Sequence, residues 1–365
     1  MTLKGFTLAS YFSLRFVGAI AGLFLLAAIL IFIFDFLELV RRSGDEEGFS
    51  VLRVAFISLL RVPQLMEEVL PFAVLFGSIA AFLTLSRSLE LVVTRAAGVS
   101  VWQFVAPGLF VGLAIGMLAI TIYNPLAVYS RTLSDEIAAG LFSREQSFLL
   151  QTTEDVWLRQ NGDDGESILH ARQLLDQGER LFGVMILTFN RDGSFLERIE
   201  AEEALLDAAS WQLKDATVYT TNSDPQKFDR YSVSTYLSPQ EIRSSIGAPE
   251  AIAFWDLPRI VELSERAGLP AYRYSLQYQV LLSRPLLLAA MVLIAASVSL
   301  RVSRMGGIGR LIVGGIVAGF VLYVLSELAK DFGGAGLVPP VVAAWAPGVL
   351  GILMGSTILL HQEDG

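Results

Sequence analysis

Residues 71–100 read PFAVLFGSIAAFLTLSRSLELVVTRAAGVS, and the two halves of this stretch have opposite characters. An uncharged run suited to a membrane ends at Ser86, a short amphipathic segment follows, and Gly98 leads into a second apolar run. Charged side chains between two membrane helices cannot lie in hydrocarbon, so this segment must face water at the membrane surface. Such a helix offers a soluble partner one apolar and one polar side. The apolar side has Leu89, Leu91, Val92 and Val93, and the polar side has Arg87, Glu90 and Arg95.

The composition is that of a polytopic membrane protein. Only 17% of the 365 residues are charged, 53% are hydrophobic, and the mean hydropathy is +0.56, whereas soluble domains carry about 25% charged residues. The net charge of −9 argues against nucleic-acid binding, because an acidic surface repels phosphate. The absence of cysteine excludes disulfides, thiol chemistry and cysteine-ligated metal.

Uncharged runs predict six transmembrane helices, three before and three after a polar central region. The predicted spans are residues 16–34, 69–86, most of 96–130 with an end near Asn124-Pro125, 275–300, 311–328 and a helix within 332–362. Residues 35–61 are predicted to form a charged connector, which places Pro63 and Pro71 near the start of the second helix. The three predicted regions are therefore 1–130, 131–273 and 274–365.

The central region, residues 131–273, is predicted to be an inserted antiparallel β domain. Runs such as VWLRQ, SILHARQ, VMILTF and DATVYTT are separated by turn signals, among them Asp192-Gly193. Several short strands at this spacing favour a sandwich or a jelly roll. The alternating apolar positions predict a buried core, and an unpaired edge strand offers a docking site for another sheet.

Three motifs give the chain a family resemblance: PFAVLFG at 71–77, LSRSLEL at 85–91 and AGVS at 97–100. They resemble the LptF/LptG permeases, the membrane subunits of the ATP-binding-cassette (ABC) transporter that exports lipopolysaccharide. The resemblance implies that the segment near residues 87–97 is a cytoplasmic coupling helix that docks on a separate ATPase. It also implies a multi-pass protein of the bacterial inner membrane, with a periplasmic β-jelly roll and cytoplasmic termini.

Charge alone barely decides the orientation, so the resemblance decides it. With the coupling segment inside, the inner basic residues would be Lys4, Arg87, Arg95, Arg301, Arg304 and Arg310. The outer ones would be Arg41, Arg42, Arg53, Arg61 and Lys330. This difference is small for the positive-inside rule.

The resemblance implies a permease subunit that extracts lipopolysaccharide from the outer leaflet and passes it to a periplasmic bridge. The lipid would enter a cavity between two permease halves through gates formed by the first and fifth membrane spans. The implied partners are an LptF-like half, an LptB-like ATPase dimer, an LptC-like single-span protein and an LptA-like bridge. FDFLEL and FVLYV favour the LptG branch, and an LptF-type half is the alternative.

The chain is predicted not to be an enzyme and to carry no cofactor or metal. No lysine follows a glycine, so no phosphate-binding P-loop is present, and ATP and Mg²⁺ would bind to the partner ATPase. His170 and His361 match no zinc or catalytic-triad spacing. A non-transporting membrane scaffold remains a different class of function, and it predicts no dependence on ATP. A secondary transporter is disfavoured because paired broken helices and an acidic relay are missing.

Glu90 is the first candidate for coupling to the ATPase. The resemblance implies that its carboxylate meets a basic residue of the ATPase, with Arg87, Leu89, Leu91 and Arg95 completing the contact. The alternative is a solvated glutamate that pairs with Arg87 or Arg95 on its own helix, worth about 0.2–0.5 kcal/mol.

Arg41, Arg42 and Arg284 are the candidate lipopolysaccharide contacts, because arginine binds phosphate with two hydrogen bonds. For Arg41 and Arg42 the alternative is anchoring at the membrane interface, and for Arg284 it is pairing within the helix bundle. Asp35 stands near a point where some family members carry a basic residue, which argues against a simple transfer of substrate contacts. For Glu327, next to Lys330, an interfacial pair is favoured.

Overall fold

The computed structural model describes most of the chain, which divides into two compact units. The described residues are 3–43, 50–87, 98, 100–139, 156–162, 165–175, 180–190, 194–207, 210–220, 223–235, 249–266, 271–299 and 308–363. The membrane unit comprises Met1–Glu136, Ala253–Val261 and Ala271–Gly365, and the sheet unit comprises Ile137–Ile252 and Glu262–Pro270.

Long helices build the membrane unit. The described α-helices are α1 (Leu3–Ser43), α2 (Val51–Arg87), α3 (Val101–Leu118), α4 (Asn124–Ala139), α5 (Leu257–Arg266), α6 (Tyr272–Ser299), α7 (Ile308–Gly334) and α8 (Pro340–Glu363). A π-helical turn, Ala119–Tyr123, joins α3 to α4. Six segments are long and apolar enough to cross a membrane, namely α1, α2, the continuous α3–α4 segment, α6, α7 and α8. The predicted arrangement of three spans before and three after the central region is confirmed.

The first two helices are longer than predicted, and the predicted connector at residues 35–61 was wrong. Residues 35–43 continue α1, and residues 51–61 begin α2. With 41 residues, α1 is about 60 Å long, roughly twice the thickness of the hydrocarbon core. The charges that suggested a connector are accommodated within the helices, since Arg61 of α2 lies 3.4 Å from Asp35 of α1.

Two predictions based on proline were also wrong. Pro63 and Pro71 lie inside α2, and the third span continues past Asn124-Pro125 into α4. Membrane helices tolerate proline where neighbouring groups and local changes of hydrogen-bond register satisfy the backbone. Here the π-helical turn changes the register just before Pro125, and the carbonyl of Thr121, four residues before Pro125, accepts the indole N–H of Trp255 at 3.1 Å.

Glycine allows two pairs of helices to approach closely. A β-carbon at Gly116 of α3 would lie 2.4 Å from the Cα of Pro285 in α6, and one at Gly77 of α2 would lie 2.6 Å from the Cα of Ile20 in α1. Small residues at such crossings replace the hydrophobic driving force, which is weak between helices in lipid. The crossings hold α6 against α3 and α2 against α1.

The sheet unit contains one antiparallel sheet in the described residues. Its strands are β1 (Val156–Gly162), β2 (Gly165–Leu175), β3 (Arg180–Phe189), β4 (Phe195–Asp207), β5 (Ser210–Thr220) and β6 (Ser223–Ser234). Their order is β1-β2-β3-β4-β5-β6, so each described strand pairs with its neighbour in sequence. The predicted antiparallel β domain is confirmed, and its described strands follow a meander order.

One face of the sheet forms a hydrophobic core. Trp211 and Ile199 are fully buried there, together with Val184 and Ile186 from the predicted apolar alternation. The alternating pattern arises because successive side chains of a strand point to opposite faces. The predicted turn at Asp192-Gly193 lies outside the described residues, and on either side of it the Asn190 N–H donates to the Ser194 carbonyl at 2.9 Å.

Candidate functional site

A polar recess in the membrane unit gathers ionisable side chains from α2, α6 and α7, and α8 completes its wall. It encloses about 60 Å³ of space and opens to solvent, which is room for a few water-sized groups. Its charged and phenolic lining residues are Glu67, Glu68, Arg284, Tyr323, Glu327 and Lys330. Ionisable groups at membrane depth are costly, so such a concentration indicates a functional site.

The more buried ion pair of the recess joins Arg284 of α6 to Glu67 of α2. The Arg284 Nη1 lies 2.7 Å from the Glu67 Oε2, and only 14% and 10% of the two side chains are exposed. A buried ion is tolerated when it is paired and its remaining hydrogen bonds are satisfied. Arg284, a predicted substrate contact, is therefore paired within the bundle and also forms part of the recess wall.

Asn124 orients the carboxylate of Glu67 from the other side. Its Nδ2 donates to the Glu67 Oε1 at 3.0 Å, and its Oδ1 accepts the backbone N–H of Phe254 at 2.9 Å. Asn124 is 2% exposed, and its amide has one partner at each end, so its orientation is fixed. A continuous chain of hydrogen bonds therefore runs from Phe254 through Asn124 and Glu67 to Arg284.

The segment around Phe254 is itself held on the third span. The indole N–H of Trp255 donates to the Thr121 carbonyl in the π-helical turn at 3.1 Å, and the ring of Phe254 stacks on Tyr278 of α6 with centroids 5.5 Å apart. π-Helical turns often occur at functional sites. Here the turn lies directly before Asn124, and it presents a backbone carbonyl to a neighbouring segment.

A second ion pair lies at the α7 side of the recess. Lys330 Nζ lies 2.7 Å from Glu327 Oε1, and 37% of the Lys330 side chain and 40% of the Glu327 side chain are exposed. This agrees with the interpretation of Glu327 as part of an interfacial ion pair. Such exposed pairs are weak. The recess has one more carboxylate than it has basic groups, since Glu68 joins Glu67 and Glu327, and its wall is therefore slightly acidic.

The other predicted substrate contacts lie at the end of α1. Arg41 pairs with Glu38 on the same helix, 2.8 Å apart, and is largely exposed. Arg42 lies in the last turn of α1. Arg41 does not line the polar recess, so the structure does not bring Arg41 and Arg284 into one site, and the side chain of Arg42 lies outside the described part of the chain.

The predicted coupling residues lie mostly outside the described residues. Arg87 is the last residue of α2, while Leu89, Glu90, Leu91 and Arg95 fall in the range that the structure does not describe. Gly98 has a φ of +82°, which favours glycine, and Ser100 caps α3 by accepting the Gln103 N–H at 3.3 Å. The chain therefore reverses its φ at Gly98, two residues before the cap of α3.

Sequence reasoning did not identify Glu67 or Asn124. The available signal was a pair of glutamates, in LMEEVLPF, directly before an apolar run. Ionisable residues in such a position need a partner. The partner of Glu67, Arg284, is a predicted substrate contact on another helix, but the two residues are 217 positions apart in sequence, and no spacing rule connects them.

These features define a class of protein: a polytopic membrane protein with two groups of three spans, an inserted antiparallel sheet and a charged recess among its membrane helices. The model of the lipopolysaccharide export system permease LptF/LptG family matches residues 10–361. The chain belongs to this family.

Curated relatives agree with this assignment. The chain is 25% identical over 340 residues to the lipopolysaccharide export system permease protein LptG of Escherichia coli K12, covering 91% of each chain. It is 23% identical over 372 residues to the LptG protein of Haemophilus influenzae, covering 98% of this chain and 99% of the relative. The chain is thus an LptG-like permease subunit of the lipopolysaccharide export system and a multi-pass protein of the inner membrane, as predicted.

Proposed function

We propose that this chain is one half of an ABC transporter that extracts lipopolysaccharide from the outer leaflet of the inner membrane, driven by ATP hydrolysis in a separate subunit. The observation that carries this proposal is the family match over almost the whole chain, membrane spans and β region together. ATP and Mg²⁺ bind to the partner ATPase dimer, and an LptF-like half completes the membrane cavity. The extracted lipid passes to the β domain, to an LptC-like protein and to an LptA-like bridge.

The proposed orientation puts both termini in the cytoplasm and the β domain, at about residues 131–273, in the periplasm. Six spans leave the two ends of the chain on one side of the membrane. The coupling segment between α2 and α3 lies on that same side, because two spans, α1 and α2, separate it from the N-terminus. An ATPase that docks there must be cytoplasmic.

Helices α1 and α7 are proposed to form the lateral gates with the partner half. They are the two least covered spans, with 11% and 22% of their most apolar windows buried, so both have faces available for a second subunit or for lipid. Two glycines of α7 already serve contacts within this chain, since β-carbons at Gly319 and Gly315 would meet Leu75 and Val298. Gly314 alone among these three faces open space.

Motion of the ATPase is proposed to reach the membrane unit through Glu90 and the ends of α2 and α3. Phe82 and Leu85, in the last two turns of α2, are fully buried, so this end of the helix is packed rather than frayed. A displacement applied beyond Arg87 therefore shifts α2 as a body, because packed helices move together. The same helix carries Glu67, at the wall of the polar recess.

Arg284, Arg41 and Arg42 are proposed to contact the phosphates of lipid A. Arg284 lines the recess, where it is available to a bound head group. Arg41 and Arg42 lie at the end of α1 that the proposed orientation places near the outer surface. The side chain of Arg41 is 77% exposed even though it pairs with Glu38, whose side chain is 38% exposed. A first contact at the end of α1 followed by entry into the recess would suit a lipid that arrives from the outer leaflet.

We expect the substitution Glu90→Lys to abolish coupling to the ATPase. Reversing the charge would place a cation against the basic groove that the carboxylate is proposed to meet. The measurement is co-purification of the ATPase with the tagged chain from native membranes, followed by lipid-stimulated ATP hydrolysis. The expected result is that the ATPase accompanies the wild type and is lost or no longer stimulated in the variant.

The matched control is Asp331→Lys. It reverses an exposed carboxylate in the last turn of α7, which the proposed orientation places on the other side of the membrane from Glu90. It should leave ATPase recovery within twofold of the wild type. Absence of any ATPase from the wild-type preparation would contradict the proposed function and favour a scaffold.

A further inference from the structure

We propose that Glu67 is the exchangeable counter-ion of Arg284: it holds the guanidinium at the recess wall and gives way only to a ligand that brings its own anionic group. This inference rests on the proposed function, because the ligand is the phosphate-bearing head group of lipopolysaccharide. It adds Glu67, oriented by Asn124, as a positioning residue that determines specificity.

The location of the pair suits an outer-leaflet head group. Counted from the helix ends next to the coupling side, Glu67 lies 20 residues before Arg87 and Arg284 lies 15 residues before Ser299. At 1.5 Å per residue these are about 30 Å and about 22 Å, within or just beyond the outer half of a hydrocarbon core of about 30 Å. An anion from the outer leaflet therefore reaches the pair without crossing the whole membrane.

The charge arrangement makes direct capture of an anion unfavourable while the pair is intact. Both basic groups of the recess already have a carboxylate partner at 2.7 Å, and the wall has a net negative charge. The Lys330–Glu327 pair is partly exposed, so water and salt screen its charges, and another anion can replace Glu327 at little cost. The Arg284 pair is nearly buried, and opening it is unfavourable unless the guanidinium immediately gains another anion.

Phosphate can replace the carboxylate, whereas a neutral lipid cannot. Phosphate carries equal or greater charge and offers three oxygens to the planar guanidinium fork. The displaced Glu67 does not become fully unpaired, because Asn124 continues to donate to its Oε1 at 3.0 Å. Asn124 in turn stays fixed by the Phe254 N–H. The network therefore has a second state in which Glu67 keeps one partner and Arg284 binds the ligand.

The size of the recess fits this role. About 60 Å³ has room for a group of about the size of one phosphate, whereas a sugar ring or an acyl chain needs more space. The recess therefore recognises the head group, and the acyl chains lie elsewhere in the cavity or in the membrane.

The experiment compares binding of bis-phosphorylated lipid A with binding of its dephosphorylated form by the purified transporter complex. We expect Glu67→Gln to tighten binding of the phosphorylated form by roughly tenfold and to change binding of the dephosphorylated form by less than twofold. Arg284 then has no competing charge. Asp331→Asn, which also removes one carboxylate but outside the recess, should change neither affinity by more than twofold.

A second variant separates the counter-ion role from a structural one. Both Asn124 and Arg284 donate to the Glu67 carboxylate. In Glu67→Gln the new NH₂ group therefore faces one of these donors, and the free energy of unfolding decreases. The double substitution Glu67→Gln/Asn124→Asp moves the carboxylate from position 67 to its hydrogen-bond partner at position 124. Every hydrogen bond of the network is restored: the Arg284 guanidinium donates to the new amide at position 67, that amide donates to the new carboxylate at position 124, and the Phe254 N–H donates to the same carboxylate. It should recover wild-type thermal stability and still bind phosphorylated lipid A at least threefold more tightly.

Two results would overturn the inference. If the double variant regains wild-type stability and also wild-type affinity, Glu67 has only a structural role. If the uncharged pair Glu67→Gln/Arg284→Met binds both lipids as the wild type does, Arg284 makes no phosphate contact. The second result contradicts the proposed substrate role of Arg284, whereas the first leaves that role intact.

Discussion

We expect Arg284→Met to lower the free energy of unfolding by about 3–5 kcal/mol, because the nearly buried carboxylate of Glu67 loses its counter-ion. The Asn124 amide remains as a hydrogen-bond partner but carries no compensating charge, and only 10% of the Glu67 side chain is exposed to water. The measurement is thermal unfolding of the purified chain in a fixed detergent or in nanodiscs, compared with the wild type.

The uncharged pair Glu67→Gln/Arg284→Met is the control for this prediction. It removes both charges and leaves at most one unpaired amide donor, which costs about 1–3 kcal/mol. The double variant should therefore be more stable than Arg284→Met alone. Equal stability of the single and double variants would mean that the pair contributes little, and it would contradict the account of the recess as an assembled ion pair.

The second large effect is expected at Gly116, where α3 crosses α6. We expect Gly116→Ala to destabilise the chain by about 1–3 kcal/mol, because the added β-carbon would lie 2.4 Å from the Cα of Pro285. A backbone atom cannot rotate away as a side chain can, so the two helices must separate. Pro285 follows Arg284 directly, and the separation should also weaken the Arg284–Glu67 pair.

Gly314→Ala is the matched control, since no atom lies within 4 Å of its β-carbon position. It should be neutral or raise stability by up to about 1 kcal/mol, as alanine does in an open helix position. Both variants are compared by thermal unfolding of the isolated chain. A Gly116 variant as stable as the Gly314 variant would show that the close crossing does not hold α6 in place.

The sequence was sufficient to predict the six spans and the inserted antiparallel sheet, because both depend on local patterns. The spans follow from uncharged runs, and the strands follow from alternation broken by turn residues. The ends of the helices were less predictable. Pro63, Pro71 and Pro125 were expected near helix ends. At Pro125 a tertiary contact helps the span to continue, because the indole N–H of Trp255 donates to the carbonyl of Thr121, four residues before the proline.

The recess was only partly predictable, since its geometry depends on contacts between distant residues. Arg284 was predicted as a phosphate contact, with pairing inside the helix bundle as the alternative, but its partner Glu67 lies on α2, 217 residues earlier. Asn124 was interpreted as a helix end, whereas its amide joins Glu67 to Phe254, which is 130 residues away. Pattern rules treat each segment separately, and a buried network of this kind emerges only when the helices are packed.

The polar recess and the coupling segment lie at different points of α2. The packed end of this helix leads to Arg87, and Glu67 lies 20 residues earlier. A shift of α2 driven by the ATPase would change the separation between Glu67 and Arg284, and thus the ease with which a phosphate exchanges with the carboxylate. This connection offers a route by which ATP hydrolysis could load and release the head group.

The most direct test of the account is ATP-dependent extraction in a reconstituted system. Proteoliposomes would contain this chain, its LptF-like partner, the ATPase and labelled lipopolysaccharide, with an LptA-like acceptor outside. The account predicts that lipopolysaccharide crosslinks to the acceptor only when ATP is supplied, and that Glu90→Lys abolishes this transfer. Equal transfer without ATP, or undiminished transfer when this chain is omitted, would contradict it.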